Sequence, residues 1–168
     1  MKRVFFSVLL FAFFQSAASL AQVGNVTVIL LRHAEKISEG KDPELSEKGK
    51  EFAEKLAKVF AADKVDAVYT TAYKRTAATV KPLADKNGLT LVNYDPAKSN
   101  DLVQTIEKSQ GKVVVVVGHS NTINLVYNAL IRGKKMEALG DDEYRKVFII
   151  NYNKNNPAES SALKLDLN

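Results

Sequence analysis

A chain of 168 residues, 46% hydrophobic and 26% charged, has room for one globular domain with a sizeable core and is short for two. Its formal charge of +5 is scattered among acids, as in "SEKGKEFAEKLAKVF", which reads as a solvated helix face and excludes a nucleic-acid-binding stripe. With no cysteine anywhere, disulfide frameworks, thiol nucleophiles and cysteine-ligated zinc are excluded as well.

The chain opens with Lys2 and Arg3, an apolar run over residues 4–14, and then "QSAASLAQ" with small residues at A-x-A-like spacing. That order predicts a secretory signal peptide, residues 1–21, cut after Ala21 with Ser19 three positions before the cut. The apolar run falls short of the roughly 20 residues of a membrane span, so no stable membrane insertion is expected after cleavage. Losing Lys2 and Arg3 lowers the formal charge by two, to +3. The mature protein, residues 22–168, is expected to be exported, either periplasmic or extracellular.

From there strands and helices alternate. Residues 26–31 form a near-continuous apolar, β-branched run, as in a strand covered on both faces. After a polar loop with Gly40 and Pro43, a helix begins near Ser46 with Phe52, Leu56, Val59 and Phe60 on one stripe. "VDAVYT" reads as a second strand ending at Thr70, followed by a helix over 73–86 that Pro82 is expected to kink. "NGLTLVNY" gives a turn and a third strand, and a further helix starts near Asn100. Residues 113–117, all valine, are the clearest buried strand. A helix from about Asn121 carries Ile123, Val126, Tyr127, Leu130 and Ile131 and stops before Gly133. "YRKVFIINYN" and "NNPAESSALKLDL" read as two more strands joined by a turn at the sheet edge. The alternation predicts a three-layer α/β/α sandwich around a mostly parallel sheet.

In such sheets ligands bind beyond the carboxyl ends of the strands. "TVILLRHAEK" ends one strand at Arg32-His33, "KVVVVVGHSNT" ends another at Gly118-His119, and Thr70-Thr71 ends a third with Arg75 shortly after. These are the chain's only two histidines, and four groups can converge on one pocket. Two guanidiniums suit a phosphoryl group, because each is a planar fork of donors that stays charged. A neutral imidazole can act as a nucleophile, and phosphoryl transfer asks mainly for positioning and charge stabilisation. The set needs no metal or cofactor, and the sequence offers no good metal cluster.

These segments resemble the histidine phosphatase superfamily, the phosphoglycerate-mutase-like proteins. "LLRHAEK" looks like its R-H-G or R-H-A signature. "TTAYKRTAAT" is similar to its S-x-x-x-R-x-x-x-T segment, with Thr71, Arg75 and Thr79 in the matching places. "LSEKGKEFAEKLA" resembles its L-(S/T)-x-x-G helix, and "VVVVVGHSNT" its second histidine after a buried strand. The resemblance covers essentially all of the mature chain and implies a phosphoglycerate-mutase-like fold. It further implies that His33 becomes phosphorylated while Arg32, Arg75, His119 and Ser120 hold the phosphoryl oxygens. It points to a metal-independent phosphatase acting on a small phosphorylated substrate, with no partner protein implied.

The general acid is the weakest part of the pattern. Many relatives supply a Glu after the second arginine, whereas the region here, "LVNYDPAKSNDLV", contains none. Asp95 is the first candidate, with Asp101 and Glu35 behind it. For Asp95-Pro96 a turn, and for Asp101 a helix-start charge interaction, are competing explanations. An exported phosphomonoesterase is therefore the leading expectation. The alternatives are a small single-domain phosphohistidine-protein phosphatase and a non-catalytic module that binds phosphorylated ligands.

Overall fold

The computed structural model describes residues 24–133 and 135–167. The predicted signal peptide, 1–21, lies outside the described residues. The chain runs β1 (Asn25–Arg32), α1 (Glu47–Val59), β2 (Ala67–Thr70), α2 (Lys74–Lys86) and β3 (Leu91–Asn93). It continues with α3 (Ser99–Glu107), β4 (Val113–Gly118), α4 (Ile123–Leu130), β5 (Lys146–Asn153) and β6 (Ser161–Asp166).

The strands form one sheet in the order β3-β2-β4-β1-β5-β6. The first four are parallel; β5 runs antiparallel to β1, and β6 antiparallel to β5. Alternation along β1 and β4 divides the core. Ile29, Leu31, Val115 and Val117 meet α1 and α2 on one face, while Val28, Leu30, Val114 and Val116 meet α3 and α4 on the other. All eight are at most 2% exposed, which explains why both strands read as continuous apolar runs. The result is the expected three-layer α/β/α sandwich.

Local details differ from the sequence expectation. Val59 is 45% exposed and not on the buried stripe, which instead follows Phe52, Ala53, Leu56 and Ala57. The helix expected from Asn121 starts two residues later at Ile123, and Ile131 follows its end. Residues 119–122 are taken up by a turn in which His119 N donates to Thr122 Oγ1 (2.9 Å). α2 continues through Pro82 to Lys86. Only β6 of the last pair is an edge strand: β5 buries Val147, Phe148 and Ile150 and pairs with β1.

Two helix starts bear on the site. At α1, Ser46 Oγ accepts from Gly49 N (3.1 Å) as an N-cap, while Ser46 N donates to Glu35 O (3.0 Å). A Cβ on Gly49 would sit 2.0 Å from Glu35 O, so the helix can approach the chain beyond β1 only with glycine there. At α2, Tyr73 provides no side-chain cap. The orphan donor Lys74 N is met instead by the carboxylate of Asp42, at 3.2 and 3.3 Å.

Candidate active site

The two histidines meet because β1 and β4 are adjacent, parallel and paired Arg32 to Gly118 at their last residues. His33 N then donates to Gly118 O (2.9 Å), and the two imidazole centroids lie 5.5 Å apart. β2 flanks β4 on its other side, so Thr71 enters the same edge. Gly118 is a close-approach position: a Cβ there would meet Tyr94 Oη at 2.6 Å and Thr122 Oγ1 at 2.9 Å. The Tyr94 hydroxyl donates to Val117 O (3.2 Å), and burial pushes its pKa up to about 12, so it stays a neutral donor.

His33 is 3% exposed. Its Nδ1 lies 2.8 Å from Ala34 O. A carbonyl only accepts, so Nδ1 carries the proton of the neutral ring and Nε2 keeps its lone pair. Burial foremost, then the charges of Arg32 and Arg75, push the His33 pKa down to about 3, against the carbonyl bond that favours the charged ring. The ring is thus neutral at ordinary pH. The loop that aims it is clamped from α2, where Ala34 N donates to Thr79 Oγ1 (2.8 Å) and Thr79 Oγ1 donates to Arg75 O (2.7 Å).

His119 is neutral for similar reasons, its pKa pushed down to about 4 by burial and then by Arg75 and Arg32. Arg75 Nη2 lies 3.4 Å from its Nδ1, and a guanidinium only donates, so the proton sits on Nε2 and is given to Thr71 Oγ1 (3.0 Å). Thr71 Oγ1 in turn contacts Thr76 Oγ1 (2.9 Å), which donates to backbone carbonyls.

Arg32 is 4% exposed. Its Nη1 donates to Gly140 O (2.7 Å) and Asp141 O (3.1 Å), and its guanidinium carbon lies 4.1 Å from the centre of the Tyr144 ring. Burial pulls its pKa below the ordinary value, with Tyr144 and Asp141 opposing, and a guanidinium stays protonated regardless. Arg75 pairs with Asp42 (3.5 Å) and lies 4.4 Å from the centre of the Tyr73 ring. The buried Nε atoms of both arginines have no hydrogen-bond partner. An unmade bond from a buried donor costs about 1–3 kcal/mol, more when charged. Two such donors beside two neutral imidazoles favour an anion with several acceptor oxygens.

The structure brings together Arg32, His33, Arg75 and His119. Ser120 follows in the turn before α4, its carbonyl accepting from Leu139 N (3.0 Å). Asp95 is exposed at the start of the 3-10 turn Pro96–Lys98, its carboxylate accepting from Ala97 N (2.9 Å). Asp101 is exposed in the first turn of α3. The Glu35 carboxylate accepts from Ser46 Oγ (3.2 Å). Sequence reasoning missed Asp42, Tyr73, Tyr144 and the carbonyls of Gly140 and Asp141. Tyr73 had a signal, lying two residues before Arg75; the rest come from loops without periodicity. Among the described residues no three His, Cys, Asp or Glu side chains cluster as a metal would require. No helix among them is long and apolar enough to cross a membrane.

A mostly parallel α/β sheet thus brings two arginines and two neutral histidines together at its carboxyl edge. The model of the histidine phosphatase superfamily (branch 1) matches residues 28–102, a stretch that contains Arg32, His33 and Arg75. Over that stretch the chain matches the histidine phosphatase superfamily, and its fold agrees with that match. No curated protein matches it significantly in sequence. Among solved structures it is similar to the protein histidine phosphatase SixA complexed with tungstate (TM-score 0.65, 13% identity, covering 83% of this chain and 96% of that one). It is also similar to a mycobacterial glucosyl-3-phosphoglycerate phosphatase (TM-score 0.59, 15% identity, 76% and 90% covered). A third is YhfR of Bacillus stearothermophilus (TM-score 0.61, 17% identity, 74% and 90% covered). At these identities the likeness concerns the fold.

Proposed function

We propose that the protein hydrolyses phosphate monoesters through a phosphohistidine formed on His33, without a metal. His33 Nε2 attacks phosphorus, and Arg32, Arg75, His119 and Ser120 hold the phosphoryl oxygens, His119 by turning its Nε2 proton from Thr71 Oγ1 to the phosphoryl group. Water then releases phosphate from the ring. The observation that carries this reading is the His33 Nδ1 contact with Ala34 O at 2.8 Å, which leaves Nε2 unprotonated within the field of Arg32 and Arg75, whose buried Nε atoms have no partner. Charge stabilisation by positioned donors supplies most of the barrier reduction in such transfers. That a structural neighbour was solved with tungstate, a phosphate-like oxyanion, supports an oxyanion-binding reading. Purified protein should release phosphate from nitrophenyl phosphate with a chelator present, and vanadate should inhibit it. Activity that vanishes with the chelator and returns with a divalent metal would overturn the mechanism.

A second reading, a phosphohistidine-protein phosphatase, draws support from the carboxylates of Asp95 and Glu35, each bonded elsewhere. A substrate with a good leaving group needs no acid. Faster turnover of phosphoramidate or phosphohistidine than of any ester would favour it. A module that binds without turnover would give vanadate binding but no phosphate release.

We further propose that residues 1–21 are removed on export to the periplasm or the extracellular space. Protein recovered from an exporting host should begin at Gln22; recovery in membranes with those residues intact would contradict this.

A further inference from the structure

The proposed reaction lacks a proton donor for the leaving oxygen, and none of Asp95, Asp101 or Glu35 contacts the four converging side chains. One carboxylate does. Asp42 Oδ1 lies 3.5 Å from Arg75 Nη1, and both its oxygens accept from Lys74 N at the start of α2. The loop that carries Asp42 is tied at its base by the Lys36–Leu45 bridge and by Ile37 N donating to Glu44 O (3.0 Å). Its side chain is 38% exposed, so water reaches it while it pairs with Arg75. Asp141 and Asp142 act on Arg32 only through longer-range charge; what Arg32 bonds on that side is the backbone carbonyls of Gly140 and Asp141.

We propose that Asp42 is the general acid of the first step and the general base of the second, an inference that rests on the phosphohistidine reading above. When a phosphoryl group takes up the donors of Arg75, Asp42 is released from that ion pair beside the bound substrate. A substrate monoanion brings the proton with it. The His33 Nε2 lone pair then forms the nitrogen–phosphorus bond as the phosphorus–oxygen ester bond breaks. The Asp42 proton passes to the departing oxygen, giving a neutral alcohol. In the second step the Asp42 carboxylate takes a proton from water as its oxygen attacks phosphorus. The nitrogen–phosphorus bond breaks, and the electron pair returns to Nε2.

Asp42→Asn tests this while keeping an oxygen that can cap Lys74 N, so α2 should stay intact. kcat/KM would be measured for an alkyl phosphate and for nitrophenyl phosphate, whose phenolate leaves without a proton. The alkyl ester should lose about 10²–10⁴-fold and the nitrophenyl ester less than about tenfold. Equal losses on both would mean that Asp42 only positions Arg75 and would overturn the proposal, as would no loss on either. So would the selective loss appearing with Asp95→Asn, Asp101→Asn or Glu35→Gln, or a wild-type protein active on the nitrophenyl ester alone. Failure of the wild type to form a phosphohistidine would instead overturn the underlying reading.

Discussion

Replacing Gly49 with alanine sets two physical rules against each other. By helix propensity alone, Gly→Ala inside α1 should stabilise the fold by about 0.5–1 kcal/mol. The structure predicts the opposite sign. The added Cβ would lie 2.0 Å from Glu35 O, against a closest tolerated approach of 3.0 Å, so helix or loop must move by the difference. The helix cannot retreat freely, because Phe52, Ala53 and Leu56 are buried against the sheet. Moving Glu35 strains its bond from Ser46 N and displaces Ala34 O, which holds His33 Nδ1. Overpacking of this kind costs about 1–3 kcal/mol, more than the propensity gain. A misplacement near 1 Å can cost about 10²-fold in rate. Urea unfolding should therefore show a lower midpoint with an unchanged slope, and nitrophenyl phosphate turnover should fall about 10–100-fold. A midpoint at or above wild type with full turnover would refute the reasoning.

The other expectations follow the same contacts. Thr79→Val removes the acceptor of the buried Ala34 N, which should cost about 1–3 kcal/mol and lower kcat more than KM rises; Thr79→Ser should restore both. Arg32→Ala and Arg75→Ala should each lower kcat/KM by about 10²–10³-fold, and near-normal values for either would remove it from the site. Stability should fall on acidification below the ordinary histidine value of 6.5. There the unfolded chain binds a proton that His33 in the fold refuses until about pH 3. The slope from this ring is up to about 1.4 kcal/mol per pH unit, and His119 adds to it down to about pH 4. Urea titrations at pH 7.5 and 5 that differ no more in wild type than in His33→Gln would contradict the buried neutral ring.

The sheet and the four central residues were legible because their signals are local. Residues 26–31 and 113–117 are almost wholly buried, so their composition alone marks strands, and the residues just past their ends mark the edge where the two histidines meet. That Arg32 pairs with Gly118, and so places His33 beside His119, required only that the two strands be adjacent. The supporting residues were not legible, for the converse reason. Asp42 reaches Arg75 from a loop 33 positions earlier in the sequence, and the Gly140 and Asp141 carbonyls reach Arg32 across more than a hundred. Neither loop has a period that fixes its path. The Val59 expectation failed because helical spacing defines a stripe but not its width; small Ala53 and Ala57 let α1 sit close to its neighbours. The interior place of β5 also depends on pairing between distant segments, which its own alternation does not specify.

The central claim is a covalent bond from phosphorus to His33 Nε2. Wild-type protein mixed with excess nitrophenyl phosphate and quenched in denaturant within one turnover should carry one phosphoryl group. That group should be stable in base, labile in acid and located on the peptide containing His33. His33→Ala, folded by the same urea titration, should carry none and turn nothing over. A phosphoryl group on any other residue, or full turnover by His33→Ala, would contradict the account.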